Sequence, residues 1–276
     1  MPELSASASS DTAPILNPRK TMKTTSQILT CLLTTSGLLL HVAPLQAATL
    51  TVAPATNGNI RSPNAAKFGD QNFIVGDTGA VGTNRYLNGL IAFDLNLPEL
   101  SGATVNSVSI TFTSLGDSST NSSTPVTFQL YLSLREFTSD ATWTNFASGQ
   151  AWEAGGGLGA NDRGTLLSSI TINTADYAGA ENLGKALTLP TNSSFVDEVD
   201  GKLGGKIYLW FGMQAGDSVD GARHVLNLAS MSHETSGYRP MLTIDYSPVP
   251  EPSTAALAAL SALGLSCAMF RRRQRP

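Results

Sequence analysis

An alternation of apolar and polar residues runs without a break through VTFQLYLSLR, residues 126–135. Successive side chains of a β-strand point to opposite faces of a sheet, so a period of two is typical of a strand with one buried face. The apolar set comprises Val126, Phe128, Leu130, Leu132 and Leu134. The stretch therefore predicts a strand that packs one side against a core.

Further candidate strands lie on both sides of this stretch, and turn-rich segments separate them. In chain order they cover residues 50–53, 72–75, 86–95, 108–112, 166–172, 186–189, 206–213, 225–228 and 241–246. One short helix is expected, with Ser193 or Ser194 as its cap and an apolar stripe of Phe195, Val196, Val199 and Leu203. Many short strands with polar connections predict an all-β fold, a sandwich or barrel of about ten strands.

The N-terminal region, residues 1–47, has the features of an export signal. Met22 and Lys23 form a basic start, an apolar segment follows over residues 28–42, and the small Ala47 offers a cleavage residue. Charged, apolar and small-residue regions in this order are typical of a secretory signal peptide. Residues 1–21 fit no part of such a signal, so we predict Met22 as the biological start.

The C-terminal region, residues 248–276, contains a second signal. Its parts are the motif Pro250, Glu251 and Pro252, an uncharged apolar run over residues 254–270, and the basic group Arg271, Arg272 and Arg273. As a helix, the run would reach roughly 25 Å, slightly short of a hydrocarbon core of about 30 Å. We interpret it as a transmembrane helix with its arginines on the cytoplasmic side.

This tail resembles the PEP-CTERM sorting signal of Gram-negative bacteria in its motif, membrane helix and basic end. The resemblance implies that an exosortase processes the chain at the inner membrane. It also implies that the protein is membrane-anchored before processing and lies at the cell surface or in the extracellular matrix afterwards. An ordinary C-terminal membrane anchor is the alternative.

The segment between the two signals, residues 48–247, is long enough for one domain with a sizeable core. It holds 10 of the 17 Lys and Arg residues and 18 of the 21 Asp and Glu residues, a formal charge of −8. Such a charge argues against nucleic acid or an anionic membrane surface as a partner. Cys31 and Cys267 both lie outside the segment, which excludes a disulfide, a thiolate metal ligand and a Cys nucleophile within it.

Three segments of this domain resemble the DNRLRE family of β-sandwiches, which is similar to certain carbohydrate-binding modules. They are LIAFDL at residues 90–95, DATWTN at residues 140–145 and RPMLTIDY at residues 239–246. The resemblance implies a jelly-roll sandwich, an extracellular location and, in some members, polysaccharide binding. Exopolysaccharide is therefore an expected partner.

Enzyme signatures are weak. His224 and His233 are the only histidines of the domain; neither has a second His at zinc-binding spacing, and no Gly-x-Ser-x-Gly elbow occurs. The glycines at residues 155–157 lack a phosphate-loop Lys and are interpreted as a flexible loop. We expect a non-enzymatic protein. A polysaccharide lyase or glycoside hydrolase on the same scaffold, and a purely structural surface protein, are the alternatives.

Two sets of residues carry site hypotheses. Tyr208 and Trp210 would face outward about 7 Å apart on one strand, and Tyr131 would face outward by the same alternation. Exposed aromatic rings can stack on sugar faces, so these three residues form a predicted glycan platform; a covering loop or helix is the alternative. Asp217 and Asp220 are candidate ligands of a structural Ca²⁺, with a solvated turn as the alternative.

Overall fold

The structure is a computed structural model that describes residues 46–63, 65–80, 85–116, 120–217 and 221–248. The strands within these residues are β1 (Ala48–Val52), β2 (Pro54–Arg61), β3 (Ala65–Phe68), β4 (Asn72–Asp77), β5 (Tyr86–Asp94), β6 (Thr104–Thr113), β7 (Val126–Ser133), β8 (Asn145–Ala147), β9 (Gln150–Ala151), β10 (Arg163–Ile172), β11 (Ala186–Leu189), β12 (Lys206–Met213), β13 (His224–Ala229) and β14 (Met241–Ser247). The helix α1 spans Ser193–Asp200, and short 3-10 helices lie at Pro98–Leu100, Thr174–Tyr177, Ala180–Asn182 and Ser236–Tyr238.

Two antiparallel sheets form the body of the molecule. The small sheet has the strand order β1–β14–β6–β11. The large sheet runs β10–β7–β12–β5–β2–β3, with β4 beside β5 and β13 beside β4, while β8 and β9 form a separate hairpin. The architecture is an all-β sandwich with one α-helix in the described residues, as the alternation of apolar residues predicted.

The space between the two sheets is filled by apolar side chains from both, which we call the inner core. Phe112 of the small sheet lies between Phe73 and Phe211 of the large sheet, with ring centroids 5.6 Å and 5.2 Å away. The helix α1 closes one side and buries Phe195 and Val199 there. Interdigitation of two inward faces in this way is what holds an aligned sandwich together.

All ten predicted strands are present, and β2, β3, β8 and β9 were missed. The sequence of β2, PATNGNIR, contains no alternation of apolar residues. Asn57 and Asn59 are buried at positions where apolar side chains would be expected. Such a strand is specified by its neighbours on both sides, β3 and β5, and not by its own pattern.

Two local predictions need correction. Leu134 was placed on the buried face of its strand, but it is 50% exposed because β7 ends at Ser133. There the hydroxyl of Ser133 bonds the backbone of Arg135 and turns the chain. The cap of α1 is Asn192, whose side chain accepts a hydrogen bond from Phe195 N at 2.8 Å, and not Ser193 or Ser194.

The predicted targeting segments lie almost entirely outside the described residues. The signal peptide prediction falls on residues 1–47, of which only 46 and 47 are described, and the apolar run at residues 254–270 is also outside. Within the described part of the chain, none of the helices is long and apolar enough to cross a membrane.

Candidate functional site

The outer face of the large sheet, which points away from the inner core, carries a second apolar cluster. We call it the outer cluster, and its buried members are Ile60, Leu90, Ala92, Phe137, Ala141, Trp152 and Trp210. The strand register pairs Trp210 of β12 with Tyr131 of β7 on one side and with Leu90 of β5 on the other. The central strands of this sheet are therefore buried on both faces.

Residues 134–162, which connect β7 to β10, form a cover over this face and supply Phe137, Ala141 and Trp152 of the outer cluster. At its end, the fully buried carboxylate of Asp162 accepts hydrogen bonds from the N–H groups of Glu153, Ala154 and Gly159 at 3.0–3.1 Å. Arg135 Nε, at the start of the cover, lies 3.3 Å from the same carboxylate. Burial acts to raise the pKa of Asp162, but these donors favour the charged form and hold the pKa below its usual value.

Consecutive glycines allow the cover to pack closely on its own residue Trp143 and on the large sheet. A Cβ atom on Gly156 would lie 2.6 Å from the Trp143 ring and 2.9 Å from Asn88 Nδ2, and φ at Gly156 is +80°. The carbonyl oxygen of Gly156 accepts hydrogen bonds from Trp210 Nε1 at 2.8 Å and from Asn88 Nδ2 at 3.0 Å. Residues 155–157 lie in a loop, as predicted, and this loop packs closely against Trp143, Trp210 and Asn88.

The predicted glycan platform is closed by this cover. Tyr131, Tyr208 and Trp210 do share the outer face, but Trp210 is only 1% exposed. Tyr208 packs edge-on against Phe137 of the cover with ring centroids 5.2 Å apart, and Tyr131 packs edge-on against Trp210 at 5.9 Å. The expectation of an open row of rings was wrong because a covering loop occupies the space that a sugar would need, which was the alternative.

A cleft of about 250 Å³ opens beside the covered rings. Its lining residues are Gly76, Tyr86, Asn88, Leu158, Arg163, Met213, Gln214, Ala215 and Gly216. Tyr86 and Asn88 are two residues apart on β5 and so point to the same face, and the Tyr86 residue is 39% exposed. The amide of Gln214 bonds that of Gln129 at 3.1 Å, which in turn accepts from the hydroxyl of Tyr131.

Arg163 is the charged residue among those that line the cleft. Its guanidinium carbon lies 4.8 Å from the ring centroid of Tyr131 and 4.7 Å from that of Trp210, and Nη2 donates to Leu158 O at 3.3 Å. Burial lowers the pKa of Arg163 from its usual value, although an arginine stays protonated at neutral pH. The described residues of the lining include this one cation and neither Asp nor Glu.

A buried polar pair lies at the edge of the large sheet, next to Gly76 of the cleft. Asp77 and His224 are 0% and 1% exposed and stand opposite each other on β4 and β13. Asp77 binds Arg85 Nε at 3.0 Å, while no described group bonds Nδ1 of His224. Burial lowers the pKa of His224, with Asp77 and Asp217 opposing that shift.

Of the two proposed calcium ligands, Asp217 lies within the described part of the chain. Oδ2 of Asp217 accepts a hydrogen bond from Thr127 N at 2.6 Å, and Asp220 lies outside the described residues. Among the residues that the structure describes, no group of three or more His, Cys, Asp or Glu side chains could hold a metal ion.

Sequence reasoning missed the cleft residues Tyr86, Asn88, Arg163 and Gln214. The alternation through residues 86–95 put Leu87, Ile91 and Phe93 on one face, so it already placed Tyr86 and Asn88 on the other. No comparable signal marks Arg163, because its position depends on how the cover returns to β10.

Comparison with protein families gives one match, at the C-terminal end. A family model described as the PEP-CTERM protein-sorting motif matches residues 248–273. This range contains the predicted motif Pro250, Glu251 and Pro252 and the basic residues Arg271, Arg272 and Arg273, all of which lie outside the described residues. No curated protein matches the chain. The chain therefore carries a PEP-CTERM sorting signal, which implies secretion and a membrane-anchored C-terminus and suggests recognition by an exosortase.

Proposed function

We propose that the exported sandwich binds an acidic polysaccharide of the cell surface or matrix at the cleft on its outer face. One observation carries this proposal: the described residues of the cleft combine an exposed aromatic ring, two side-chain amides and one cation, with no carboxylate among them. Glycan sites are typically built from such a combination of an apolar surface and a few placed polar groups.

Four lining residues have a role in this proposal. The ring of Tyr86 would stack on the apolar face of a sugar, and the amides of Asn88 and Gln214 would bond its hydroxyls. Arg163 would pair with a sugar carboxylate, and its two aromatic neighbours restrict its guanidinium before any ligand arrives. A cleft of about 250 Å³ is near the lower end of the size range of ligand pockets and would hold a short part of a longer chain.

The resemblance of residues 90–95, 140–145 and 239–246 to the DNRLRE family supports the same proposal. It favours a jelly-roll version of the sandwich and a carbohydrate-binding role outside the cell. The sorting signal adds an export route that is suited to a surface or matrix protein.

We propose binding without turnover. A glycoside hydrolase requires two carboxyl groups on either side of the scissile bond, and the described cleft residues include neither Asp nor Glu. A lyase on the same scaffold would release unsaturated uronates, which absorb in the ultraviolet. Incubation of the purified protein with polygalacturonate or alginate is expected to give no such absorbance and no new reducing ends.

Affinity electrophoresis tests the binding itself. The protein, purified without its targeting segments, is run through gels that contain alginate, carboxyl-reduced alginate or dextran. Binding in the micromolar-to-millimolar range is expected for the carboxylated polymer only. Arg163→Gln is expected to weaken it roughly tenfold or more, as loss of a charge-assisted hydrogen bond would.

Lys202→Gln is the matched control, since it removes one positive charge from an exposed turn away from the cleft. A thermal melt shows whether Arg163→Gln leaves the fold intact. Equal retardation by alginate and by its carboxyl-reduced form would contradict a site for acidic sugars, and no retardation by any polymer would contradict polysaccharide binding.

A further inference from the structure

The strand β14 is held in the sandwich up to its last residue. Tyr246 is 8% exposed, belongs to the inner core and pairs with Ala48 of β1 and Val105 of β6. Ser247 pairs with Thr104 of β6. Detaching this end therefore requires that a buried aromatic side chain leave the core.

Side-chain hydrogen bonds clamp the same end from both neighbouring strands. Thr49 Oγ1 of β1 and Ser107 Oγ of β6 each donate to the Asp245 carboxylate at 2.6 Å. These two bonds lower the pKa of Asp245 from its usual value. On the next outward-facing position, Asn106 Nδ2 donates to Ser247 Oγ at 3.0 Å.

The sorting motif begins very close to this clamp. Only Pro248 and Val249 separate Ser247 from Pro250 in the sequence. A chain extends at most about 3.6 Å per residue, so the Cα atoms of Ser247 and Pro250 are no more than about 11 Å apart. A peptidase that grips an extended segment ahead of the motif would need residues that β14 holds in the sheet.

We propose that the pairing of β14 with β1 and β6 limits exosortase processing, because the enzyme acts on a minor form in which residues 245–247 have left the sheet. This inference rests on the export route of the proposed function. Processing breaks one peptide bond near the motif, and water supplies the hydroxyl of the new carboxyl group and a proton of the new amine. When opening and closing are fast, the rate of such cleavage follows the population of the open form.

A spacer insertion tests the proposal in the full-length precursor. Gly-Ser-Gly-Ser-Gly-Ser is inserted between Ser247 and Pro248, and the precursor is expressed in a host that has an exosortase. Pulse-chase immunoblots measure the half-life of the unprocessed chain. We expect the insertion to shorten that half-life at least fivefold, because the motif then becomes accessible without opening of β14.

A second variant weakens the clamp without changing chain length. Thr49→Val removes one donor to Asp245 and is expected to shorten the half-life about twofold. In the background of the spacer insertion, the same substitution is expected to have no effect, since opening no longer limits the reaction. The same six residues inserted between Ser148 and Gly149, in the exposed turn of the β8–β9 hairpin, are the control and should leave the half-life unchanged.

Two results separate failure of this inference from failure of the export route. A variant that carries both Pro250→Ala and Pro252→Ala should stay unprocessed; processing at the wild-type rate would mean that the motif does not direct sorting. If that variant is blocked while the spacer insertion leaves the half-life unchanged, the sorting signal stands and the coupling to β14 is overturned.

Discussion

The central strands of the large sheet are buried on both faces, but by different means. The inner face packs against a second sheet, whose backbone groups already bond one another, so apolar side chains such as Phe112 can fill the space. The outer face packs against the cover, where irregular backbone needs polar partners. Asp162 and the indole N–H of Trp210 supply such partners. A sheet face covered by a loop thus depends on hydrogen bonds that a face covered by a sheet does not need.

The largest effect is expected where the two faces are compared directly, on adjacent residues of β12. Phe211→Ala empties part of the inner core, and Trp210→Ala empties part of the outer cluster. Both side chains are at most 1% exposed, so each change should lower the free energy of unfolding by about 3–5 kcal/mol. Urea unfolding followed by circular dichroism measures both. A loss below about 1 kcal/mol for Trp210→Ala would mean that the cover is not closed in solution.

Asp162→Asn weakens the hydrogen bonds that hold the cover and leaves the inner core unchanged, so it tests the outer face separately. The amide cannot accept all of the bonds that the carboxylate accepts, and the ion pair with Arg135 is lost. We expect a loss of about 2–3 kcal/mol and faster proteolysis within residues 134–162. Asp140→Asn, on an exposed residue of the same cover, is the control and should change neither quantity. Unchanged proteolysis of the Asp162 variant would show that the cover holds without its carboxylate.

A pair of glycine substitutions separates the effect of close packing around Gly156 from the effect of backbone strain. Gly156 and Gly149 both lie in the cover with positive φ, but only Gly156 has atoms within 4 Å of an added Cβ. Gly149→Ala should cost about 1 kcal/mol from strain, and Gly156→Ala about 1–3 kcal/mol more from overpacking against Trp143. Equal melting temperatures for the two variants would contradict the close packing around Gly156.

The smallest effect concerns the pH dependence of the buried pair at the sheet edge. Because the pKa of His224 in the folded state is lowered, the unfolded chain binds a proton there more readily. The contribution of neutral His224 to the free energy of unfolding is therefore fully present above about pH 6.5, and it is lost as the pH falls towards the folded-state pKa. His224→Gln should flatten the corresponding part of the stability curve measured between about pH 5 and pH 8. If the variant showed the same dependence of stability on pH, that dependence would come from another titratable group.

The sequence predicts the inner core well and the outer one poorly, for a physical reason. The alternation of apolar and polar residues along β7 and β12 predicts which side chains point inward, because alternate residues of a strand lie on opposite faces. It also places Trp210 outward, but the closure of that face depends on residues 134–162 folding back. The folding of this segment onto the sheet depends on individual contacts, such as those of Asp162 and Gly156. No periodic pattern in the sequence predicts such contacts. The cleft residues Tyr86 and Arg163 become neighbours only when residues 134–162 fold back onto the sheet. The sequence therefore predicted a site at the covered aromatic residues and not at the cleft beside them.

Side-chain NMR provides the most direct test of the cleft. Acidic oligosaccharide is titrated into protein labelled with ¹⁵N, and the amide signals of Asn88 and Gln214 and the Nε signal of Arg163 are followed. Binding at the cleft predicts saturable shifts of these three signals, with those of residues on the small sheet, such as Asn106, unchanged. Shifts confined to the small sheet, or no shifts at ligand concentrations in the millimolar range, would contradict it.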